Sequence, residues 1–159
     1  MMEMPKPTDA HRQLERLVGS WKGIERMFPS PWNPAGGEAI GRIHNRLALD
    51  GFVVVQDYAQ ETDSVVTFRG HGVFSWNATE SCYVLHWFDS MGMPPNEYRG
   101  NISENVLTLS AKWPQGMHRV VFDLSQEGHY TFRMEVSESG EQWATLMEGQ
   151  YETESRPSP

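Results

Sequence analysis

The feature that most constrains this chain is a Gly19-Ser20-Trp21 step, followed by alternating, turn-punctuated segments that continue to the C-terminal region. A glycine lets the chain turn sharply, and a tryptophan two residues later is large enough to plug one end of a small barrel. Short strands at regular spacing are typical of an antiparallel meander. The pattern predicts an all-β protein, an up-and-down antiparallel barrel of about ten strands.

A short helix is expected before the barrel. Thr8 or Asp9 is a suitable N-cap, and Leu14, Leu17 and Val18 would share one apolar face. The predicted strands then cover residues 20–28, 38–48, 52–61, 65–76, 81–89, 96–103, 106–113, 117–124, 129–137 and 141–151.

The chain is expected to form one domain over residues 1–159, with flexible ends at about 1–8 and 153–159. Two segments are too rich in proline or glycine to pair as strands, residues 29–37 and 90–95. Both contain large, adaptable apolar side chains, which favours a role in covering a ligand entrance. These side chains are Trp32, Met91 and Met93.

Charge and cysteine content narrow the function classes. Lys and Arg number 13 against 21 Asp and Glu, a net charge of -8, which is the wrong sign for neutralising phosphates. No apolar run approaches the ~20 residues that span a bilayer, and no signal-peptide pattern is present. Cys82 is the only cysteine, so an internal disulfide is excluded. We expect a cytoplasmic protein with no nucleic-acid or membrane partner.

Turn motifs predict the strand register. Asp50-Gly51 suits a two-residue type I′ turn, a four-residue loop is expected at 77–80, and Ser139-Gly140 marks a later turn. The resulting cross-strand pairs are Asn45 with Gln56, Ile43 with Tyr58, Phe74 with Tyr83, Gly70 with Trp87, Val136 with Trp143, and Phe132 with Met147.

Strand alternation then separates an inner face from an outer face. The apolar residues predicted inside are Phe52, Val54, Phe68, Phe74, Leu85, Trp87, Phe122, Phe132 and Met147. An aromatic interior with a few orienting polar groups is typical of a small-molecule site. The predicted ligand-binding residues are Trp21, Asn45, Gln56, Tyr58, Phe74, Tyr83, Trp87, Asp89 and His118.

Three stretches resemble the bacterial domain-of-unknown-function family 1579, a member of the calycin-like barrels that include lipocalins and fatty-acid-binding proteins. They are Gly51-Phe52-Val53-Val54-Val55-Gln56-Asp57-Tyr58, then Phe68 to Asn77, then Tyr83 to Gly92. The resemblance extends from Leu14 to about Tyr151, and it implies a calycin-like barrel with no established activity. Trp76-Asn77 stands where the family usually has Tyr-Asp, a change that preserves the turn chemistry.

Motifs for catalysis are absent from the sequence. Cys82 and His86 would be about 13 Å apart along one strand, beyond hydrogen-bond reach. No nucleophile elbow, phosphate-binding loop, dinucleotide fingerprint or metalloprotease helix motif is found. Asp89 or Glu25 could act as an acid or base, but neither shows a partner in the sequence. We assign no catalytic residue and lean against an enzyme.

The outer face suggests two alternatives. The predicted register sets His71 opposite His86, and two such imidazoles could hold Zn(II) or Cu(II), although a third ligand is not evident. The same face has an apolar stripe, which favours a contact between two copies of the chain. The stripe consists of Val53, Val55, Val73, Val84 and Phe88.

His118 suggests a further alternative, because it alternates with Val120 and Phe122 and should point inward. The haem-binding nitrobindins, which are also calycin-like barrels, have a single histidine ligand. The main hypothesis is therefore a barrel that binds a small hydrophobic or amphipathic molecule without a cofactor. The alternatives are a haem-binding, nitrobindin-like barrel or another barrel enzyme, and a dimeric scaffold with a filled core and no ligand.

Overall fold

In the computed structural model, which describes residues 2–154, the chain forms one closed antiparallel barrel. Each strand pairs with its neighbours in sequence, and the first strand pairs with the last to close the barrel. The strands are β1 (Gly19–Met27), β2 (Gly37–Ala48), β3 (Val53–Thr62), β4 (Val65–Asn77), β5 (Cys82–Asp89), β6 (Asn96–Ser103), β7 (Val106–Trp113), β8 (Gly116–Gln126), β9 (His129–Ser137) and β10 (Ala144–Thr153). The predicted up-and-down, calycin-like barrel is confirmed.

The N-terminal helical segment is short. An α-helix, α1 (Asp9–Gln13), continues into a 3₁₀ turn, Leu14–Leu17, and its N-cap is Thr8. The leucines at the two ends of the 3₁₀ turn are buried, as predicted, but Val18 is 38% exposed. Its backbone is already extended, so the helical periodicity ends one residue before it. Among residues 2–154, no helix has the length and apolarity needed to cross a bilayer.

The helical segment covers one end of the barrel. The Tyr83 hydroxyl donates a hydrogen bond to the Ala10 carbonyl oxygen at 2.7 Å. We call this the helix end; the connections there are residues 49–52, 78–81, 104–105 and 127–128. The opposite end, which has no helix among the described residues, is called the open end; its connections are residues 28–36, 63–64, 90–95, 114–115 and 138–143.

The register at the Asp50-Gly51 turn is confirmed, since Asn45 lies opposite Gln56 and Ile43 opposite Tyr58. Both turn residues have positive φ, 57° and 95°, as a type I′ turn requires.

The predicted β4–β5 register is wrong by two residues. The Asn77 side chain accepts hydrogen bonds from the backbone N–H groups of Thr79 and Glu80, and the turn moves one position along the chain. A shift by two keeps every side chain on its predicted face. The observed pairs are Trp76 with Tyr83, Phe74 with Leu85, Gly72 with Trp87, Gly70 with Asp89, Val73 with His86, and His71 with Phe88.

The predicted β9–β10 register is also wrong. The ladder has an irregularity between Thr145 and Met147, so one extra residue lies on β10. Phe132 therefore faces Gly149, and Met147 faces Met134 instead of Phe132. Val136 faces Ala144, the first residue of β10, rather than Trp143. The strand starts three residues later than predicted, and Trp143 stacks under the Arg119 guanidinium at 3.8 Å.

The structure describes only parts of the two segments predicted to be flexible, about 1–8 and 153–159. Of those two segments, Met1 and residues 155–159 lie outside the described residues.

Candidate ligand-binding site

The helix end is sealed by hydrogen bonds to a single backbone carbonyl. The Leu17 oxygen accepts one from Trp21 Nε1 at 2.9 Å and another from Asn45 Nδ2 at 2.8 Å. The Trp21 ring also meets the Tyr130 ring edge-on, with centroids 4.7 Å apart. Trp21 is 4% exposed, which confirms its predicted burial at one end of the barrel. Trp21 and Asn45 thus close this end.

The interior next to the helix end is densely packed. Phe74 and Phe122 meet edge to face at 5.6 Å, and both are almost completely buried. Tyr83 is buried too, with its hydroxyl bonded to the helix. Further buried side chains of this core are Leu14, Leu17, Ile43, Val54, Leu85, Leu107, Leu109, Val120, Leu124, Tyr130 and Tyr151.

Toward the open end, a carboxylate lies inside the barrel wall. Glu25 of β1 is 0% exposed, and its oxygens accept hydrogen bonds from three side chains. The Tyr58 hydroxyl lies 2.6 Å from Oε1 and 2.8 Å from Oε2, and Gln60 Nε2 lies 3.0 Å from Oε1. The Tyr151 hydroxyl donates to Oε2. We call Glu25, Tyr58, Gln60 and Tyr151 the carboxylate cluster.

Two glycines on the neighbouring strands make room for this cluster. A Cβ atom at Gly41 would come within 2.4 Å of Glu25 Oε2, and one at Gly149 within 2.3 Å of the Tyr151 hydroxyl. In the sheet, Gly149 of β10 pairs directly with Glu25. Gly41 lies on β2, two residues from Ala39, which is the β2 partner of Glu25. The absence of side chains here is what allows a carboxylate and a phenol to meet inside the barrel.

The tyrosines of the cluster are held in their protonated form. Burial, and then the negative charge of Glu25, raise the pKa of Tyr58 and of Tyr151 well above the usual range. The same two causes raise the pKa of Tyr130. Each phenol therefore keeps its O–H, and Tyr58 and Tyr151 can donate to Glu25 at any physiological pH.

Aromatic rings form the wall beside the cluster. Tyr58 contacts Phe68 and Trp87, each at 6.1 Å between ring centroids. The Trp87 ring lies over Gly70, where a Cβ atom would approach it to 2.2 Å. Trp87 Nε1 donates to Asp89 Oδ2 at 3.0 Å, so Asp89 fixes the orientation of the indole.

His118 lies on β8, inside the barrel as predicted, and is 4% exposed. Its Nδ1 is 2.7 Å from the Tyr98 hydroxyl, and its ring stacks on Trp113 at 4.4 Å. Burial lowers the pKa of His118 to about 4. The imidazole is therefore neutral at physiological pH, and it is packed as a core residue.

Methionines occupy the open end above the cluster. Met147 lies opposite Met27 on one side and Met134 on the other, and all three are partly exposed. Gln60 Nε2 is 3.9 Å from the sulfur atoms of both Met27 and Met147. Unbranched thioether side chains adapt their shape at low cost, so this part of the interior can rearrange around a guest.

The structure divides the predicted site residues between the two ends. Tyr58, Trp87 and Asp89 come together at the open end. His118 lies near the start of β8, which begins at the open end. Gln56, which is 5% exposed, lies one inward position closer to the helix end than Tyr58. The remaining predicted contacts belong to the sealed or packed half: Trp21, Asn45, Phe74 and Tyr83.

The predicted pairing of His71 with His86 does not form, because the β4–β5 register is shifted by two. His71 Nδ1 instead lies 2.8 Å from Asp57 Oδ1, and His44 Nδ1 lies 2.9 Å from Ser20 Oγ. Among residues 2–154 there is no group of three His, Cys, Asp or Glu side chains arranged to hold a metal ion.

The sequence indicates Glu25 as a possible acid or base and Tyr58 as a ligand-binding residue, but it does not predict that the two meet Gln60 and Tyr151 in one cluster. Alternation from Trp21 places Glu25 inside, and this signal was available in the sequence. Gln60 follows from the confirmed β2–β3 register as another inward residue. Tyr151 is separated from Glu25 by 126 residues, and their contact depends on how β1 and β10 close the barrel.

Two grooves lie on the surface rather than inside the barrel. One, of about 410 Å³, is beside the helix end. Its lining residues are Gln13, Trp76, Tyr83, Asn101, Ile102, Glu104 and Asn105. The other, of about 380 Å³, is lined by charged and polar residues that include Lys22, Arg42 and Glu152. Neither contains the carboxylate cluster. We expect a ligand at the open end to displace the adaptable methionine side chains beside Gln60.

Comparison with known proteins supports the fold. The model of a family described as "Protein of unknown function (DUF1579)" matches residues 6–153. No curated protein sequence matches. The crystal structure of Rv2717c from M. tuberculosis is similar, with a TM-score of 0.67 at 12% identity, covering 93% of this chain and 99% of that one. The S-type phycobiliprotein lyase CPES from Guillardia theta is also similar, with a TM-score of 0.61 at 11% identity, covering 95% of this chain and 100% of that one.

Proposed function

The chain belongs to the DUF1579 family, which is defined without a function, and from its site we propose that it binds a small, mostly apolar molecule in the open end of the barrel. The ligand would place its apolar body against Phe68 and Trp87 and its polar end near Tyr58 and Gln60. The structural similarity to a phycobiliprotein lyase fits a barrel that handles a small molecule. We propose binding rather than catalysis.

The observation that supports this proposal most is the difference in burial along the barrel. Most core side chains near the helix end are almost completely buried, with Trp76 and Ile102 beside the surface groove as the partly buried exceptions. Tyr58, Trp87 and Phe132, which pack against the same core farther toward the open end, are only partly buried. Aromatic side chains left partly exposed inside a barrel lose the free energy of burial unless another molecule covers them.

Two loops of the open end would form the entrance. Trp32 is 76% exposed in the connection 28–36, and Met91 and Met93 are 72% and 69% exposed in the connection 90–95. Both connections join strands at the same end of the barrel. Exposed side chains of this size could cover the apolar body of a bound molecule.

The proposal is tested with N-phenyl-1-naphthylamine, an uncharged probe that fluoresces in apolar surroundings. We expect saturable binding that weakens at least tenfold in Trp87→Ala and in Tyr58→Ala, because each change removes an aromatic wall. The matched control is Phe88→Ala, on the outer face of the same strand and 48% exposed, which should bind as the parent does. Folding of each variant is checked by circular dichroism.

Absence of saturable binding would contradict the proposal. So would equal losses in Trp87→Ala and Phe88→Ala, because the contact would then not be on the inner face. Trp32→Ser and Met93→Ser should weaken probe binding if the two loops cover the ligand. Unchanged binding in both would remove the loops from the site.

A haem-binding function through His118 is the first alternative, and the residues present fit it poorly. The hydrogen bond with Tyr98 engages only Nδ1, but His118 is 4% exposed and stacks on Trp113, so a porphyrin could reach Nε2 only by displacing packed side chains. We derive no step through haem. Adding haemin to the purified protein should produce no His118-dependent Soret band; a band that is lost in His118→Ala would favour this alternative instead.

A dimeric scaffold is the second alternative. Of the predicted outer stripe, Val84 and Val55 are only 4% and 9% exposed, and Phe88 alone is strongly exposed, at 48%. Because neighbouring side chains already shield the valines, this face offers little free apolar area. We therefore expect a monomer in sedimentation at ~100 μM. This concentration is diagnostic because an interface of micromolar affinity would be saturated there. A dimer that dissociates in Phe88→Glu would favour the scaffold.

A cytoplasmic location remains a proposal. It rests on the single cysteine, Cys82, because proteins of oxidising compartments more often contain paired cysteines.

A further inference from the structure

We propose that the molecule bound at the open end has a positively charged nitrogen that pairs with Glu25. This inference rests on the proposed function and adds a ligand class to it: an amphipathic cation, such as an alkylamine, rather than a fatty acid or a neutral lipid. It is based on the lack of a cationic partner for Glu25 and on the aromatic and acidic side chains near the carboxylate cluster.

Glu25 lies in the barrel without a cationic partner. Among residues 2–154, no Lys, Arg or His forms an ion pair with it, and its hydrogen-bond donors are two phenols and one amide. The other buried glutamate is different, since Glu135 on the outer face pairs with Arg119 at 3.0 Å and Arg133 at 3.3 Å. A buried carboxyl group is costly to ionise unless it is paired, and a cationic ligand would supply the partner that the described side chains do not.

The cluster can accept one more donor from the open end. A carboxylate offers about four lone-pair positions. The Tyr58 hydroxyl contacts both oxygens but has a single hydrogen, so three donor hydrogens serve these positions and about one stays unused. Gln60 and Tyr58 are partly exposed and lie on the side toward the open end. An ammonium group entering there could bind beside Gln60 or replace its amide, once the neighbouring side chains of Met27 and Met147 have moved aside.

A second polar group near the cluster is also unused. The Tyr130 hydroxyl is buried and has no hydrogen-bond partner among the described residues. Its ring lies 5.0 Å from that of Tyr151, whose hydroxyl donates to Glu25. This hydroxyl is an unused buried polar group one ring away from the cluster, although the Tyr130 ring also packs on Trp21 at the helix end.

The neighbouring walls favour a cation over an anion. Phe68, Tyr58 and Trp87 present aromatic rings near the cluster, and the faces of such rings attract ammonium groups. The Asp89 carboxylate is held at the Trp87 indole and adds negative charge to the same side of the barrel. The net charge of -8 attracts cations from solution and repels carboxylates.

The test compares three ligands with one chain length and different head groups: decylamine, decan-1-ol and decanoate. Each ligand is added to the protein with N-phenyl-1-naphthylamine bound, at concentrations below those at which the ligand forms micelles. The affinity of the ligand is obtained from the displacement of the probe. We expect decylamine to bind at least tenfold more tightly than decan-1-ol, as a charge-assisted hydrogen bond allows, and decanoate to bind most weakly. The amine-to-alcohol ratio is measured within each variant, so changes in probe affinity cancel.

Glu25→Gln keeps the shape of the side chain and removes its charge. In this variant the amine-to-alcohol ratio should fall to about one. The matched control is Glu135→Gln, which removes the buried carboxylate of the outer face and should keep the full ratio. If Glu25→Gln does not fold, Glu25→Asp provides a second comparison, because it keeps the charge but withdraws the carboxylate by one methylene, and the amine-to-alcohol ratio should fall; an unchanged ratio would overturn the inference.

The outcomes separate this inference from the proposed function. Probe binding with no preference among the three head groups, or a preference that persists in Glu25→Gln, overturns the cationic ligand and leaves the apolar site standing. No saturable binding of the probe or of decylamine overturns both.

Discussion

The apolar interior of this barrel is closed by different kinds of side chains at its two ends. At the helix end, Trp21 and Asn45 both donate to one carbonyl of Leu17, and the side chains around them are buried. At the open end, the interior contains a carboxylate, three partly exposed methionines and partly exposed aromatic rings. The helix end uses neutral donors that share one carbonyl and leaves the Asn45 side-chain oxygen without a partner, whereas the open end has partly exposed apolar side chains and a buried carboxylate without a cationic partner.

This difference supports the proposal that the open end binds a ligand, while the helix end contributes most to stability. A ligand site needs polar groups that are not fully committed and side chains that can move. A groove of about 410 Å³ lies beside the helix end, but the hydroxyl of Tyr83, one of its lining residues, is already bonded to Ala10. We therefore assign binding to the open end and stability to the helix end.

The largest effect is expected for Trp21→Ala, which should lower the free energy of unfolding by about 3–5 kcal/mol because it leaves a cavity at the seal. Urea denaturation measures this value. The matched control is Trp32→Ala, in an exposed loop of the open end, which should change stability by no more than about 0.5 kcal/mol. Similar losses in both variants would break the comparison between the two ends.

A pH dependence of stability is expected from His118. Burial lowers its pKa in the folded protein to about 4 from an ordinary value of 6.5. Between these values the unfolded chain takes up a proton that the folded chain does not, so stability is full above pH 6.5 and falls as the pH drops toward 4. The loss should reach about 3 kcal/mol.

The pH dependence is measured by urea denaturation from pH 7 to pH 4. Other groups titrate in this range, so the His118→Phe variant supplies the reference, and it should show a smaller decline than the parent. His86→Gln, at an exposed position on the outer face, should keep the full decline. An identical decline in the parent and in His118→Phe would show that the imidazole is not neutral in the fold.

A smaller effect should distinguish two neighbouring tyrosines. Tyr151→Phe removes a hydrogen bond to a buried carboxylate and should cost about 1.5–3 kcal/mol of stability. Tyr130→Phe removes a buried hydroxyl that has no partner, and should leave stability unchanged or raise it slightly. A greater loss from Tyr130→Phe than from Tyr151→Phe would show that the hydroxyls are arranged differently.

The sequence predicts the fold and the faces of the strands better than it predicts contacts. The Gly-Trp step and regular turns indicate the barrel, and alternation puts Tyr58, Trp87 and His118 inside. The β4–β5 register is wrong by two positions, yet a shift by an even number leaves every side chain on its face. The same error removes the His71 and His86 pair, because that hypothesis depended on which residues lie directly opposite.

The carboxylate cluster depends on information that local patterns do not contain. Glu25 and Tyr151 meet only because the first and last strands pair, and the register of β10 is set by a bulge near Thr145 that no turn motif signals. The seal could be predicted only in part. Trp21 follows from its position after Gly19, whereas its hydrogen bond to Leu17 requires the geometry of the 3₁₀ turn.

The central claim, that the open end is the binding end, is tested most directly by NMR. The protein, labelled with ¹⁵N, is titrated with N-phenyl-1-naphthylamine while the two indole N–H signals of Trp21 and Trp87 are followed. The account predicts that the Trp87 signal moves with the backbone signals of Tyr58, Gln60 and Met147, and that Trp21 stays in place. Movement of the Trp21 signal and of residues lining the helix-end groove, with Trp87 unchanged, would contradict it.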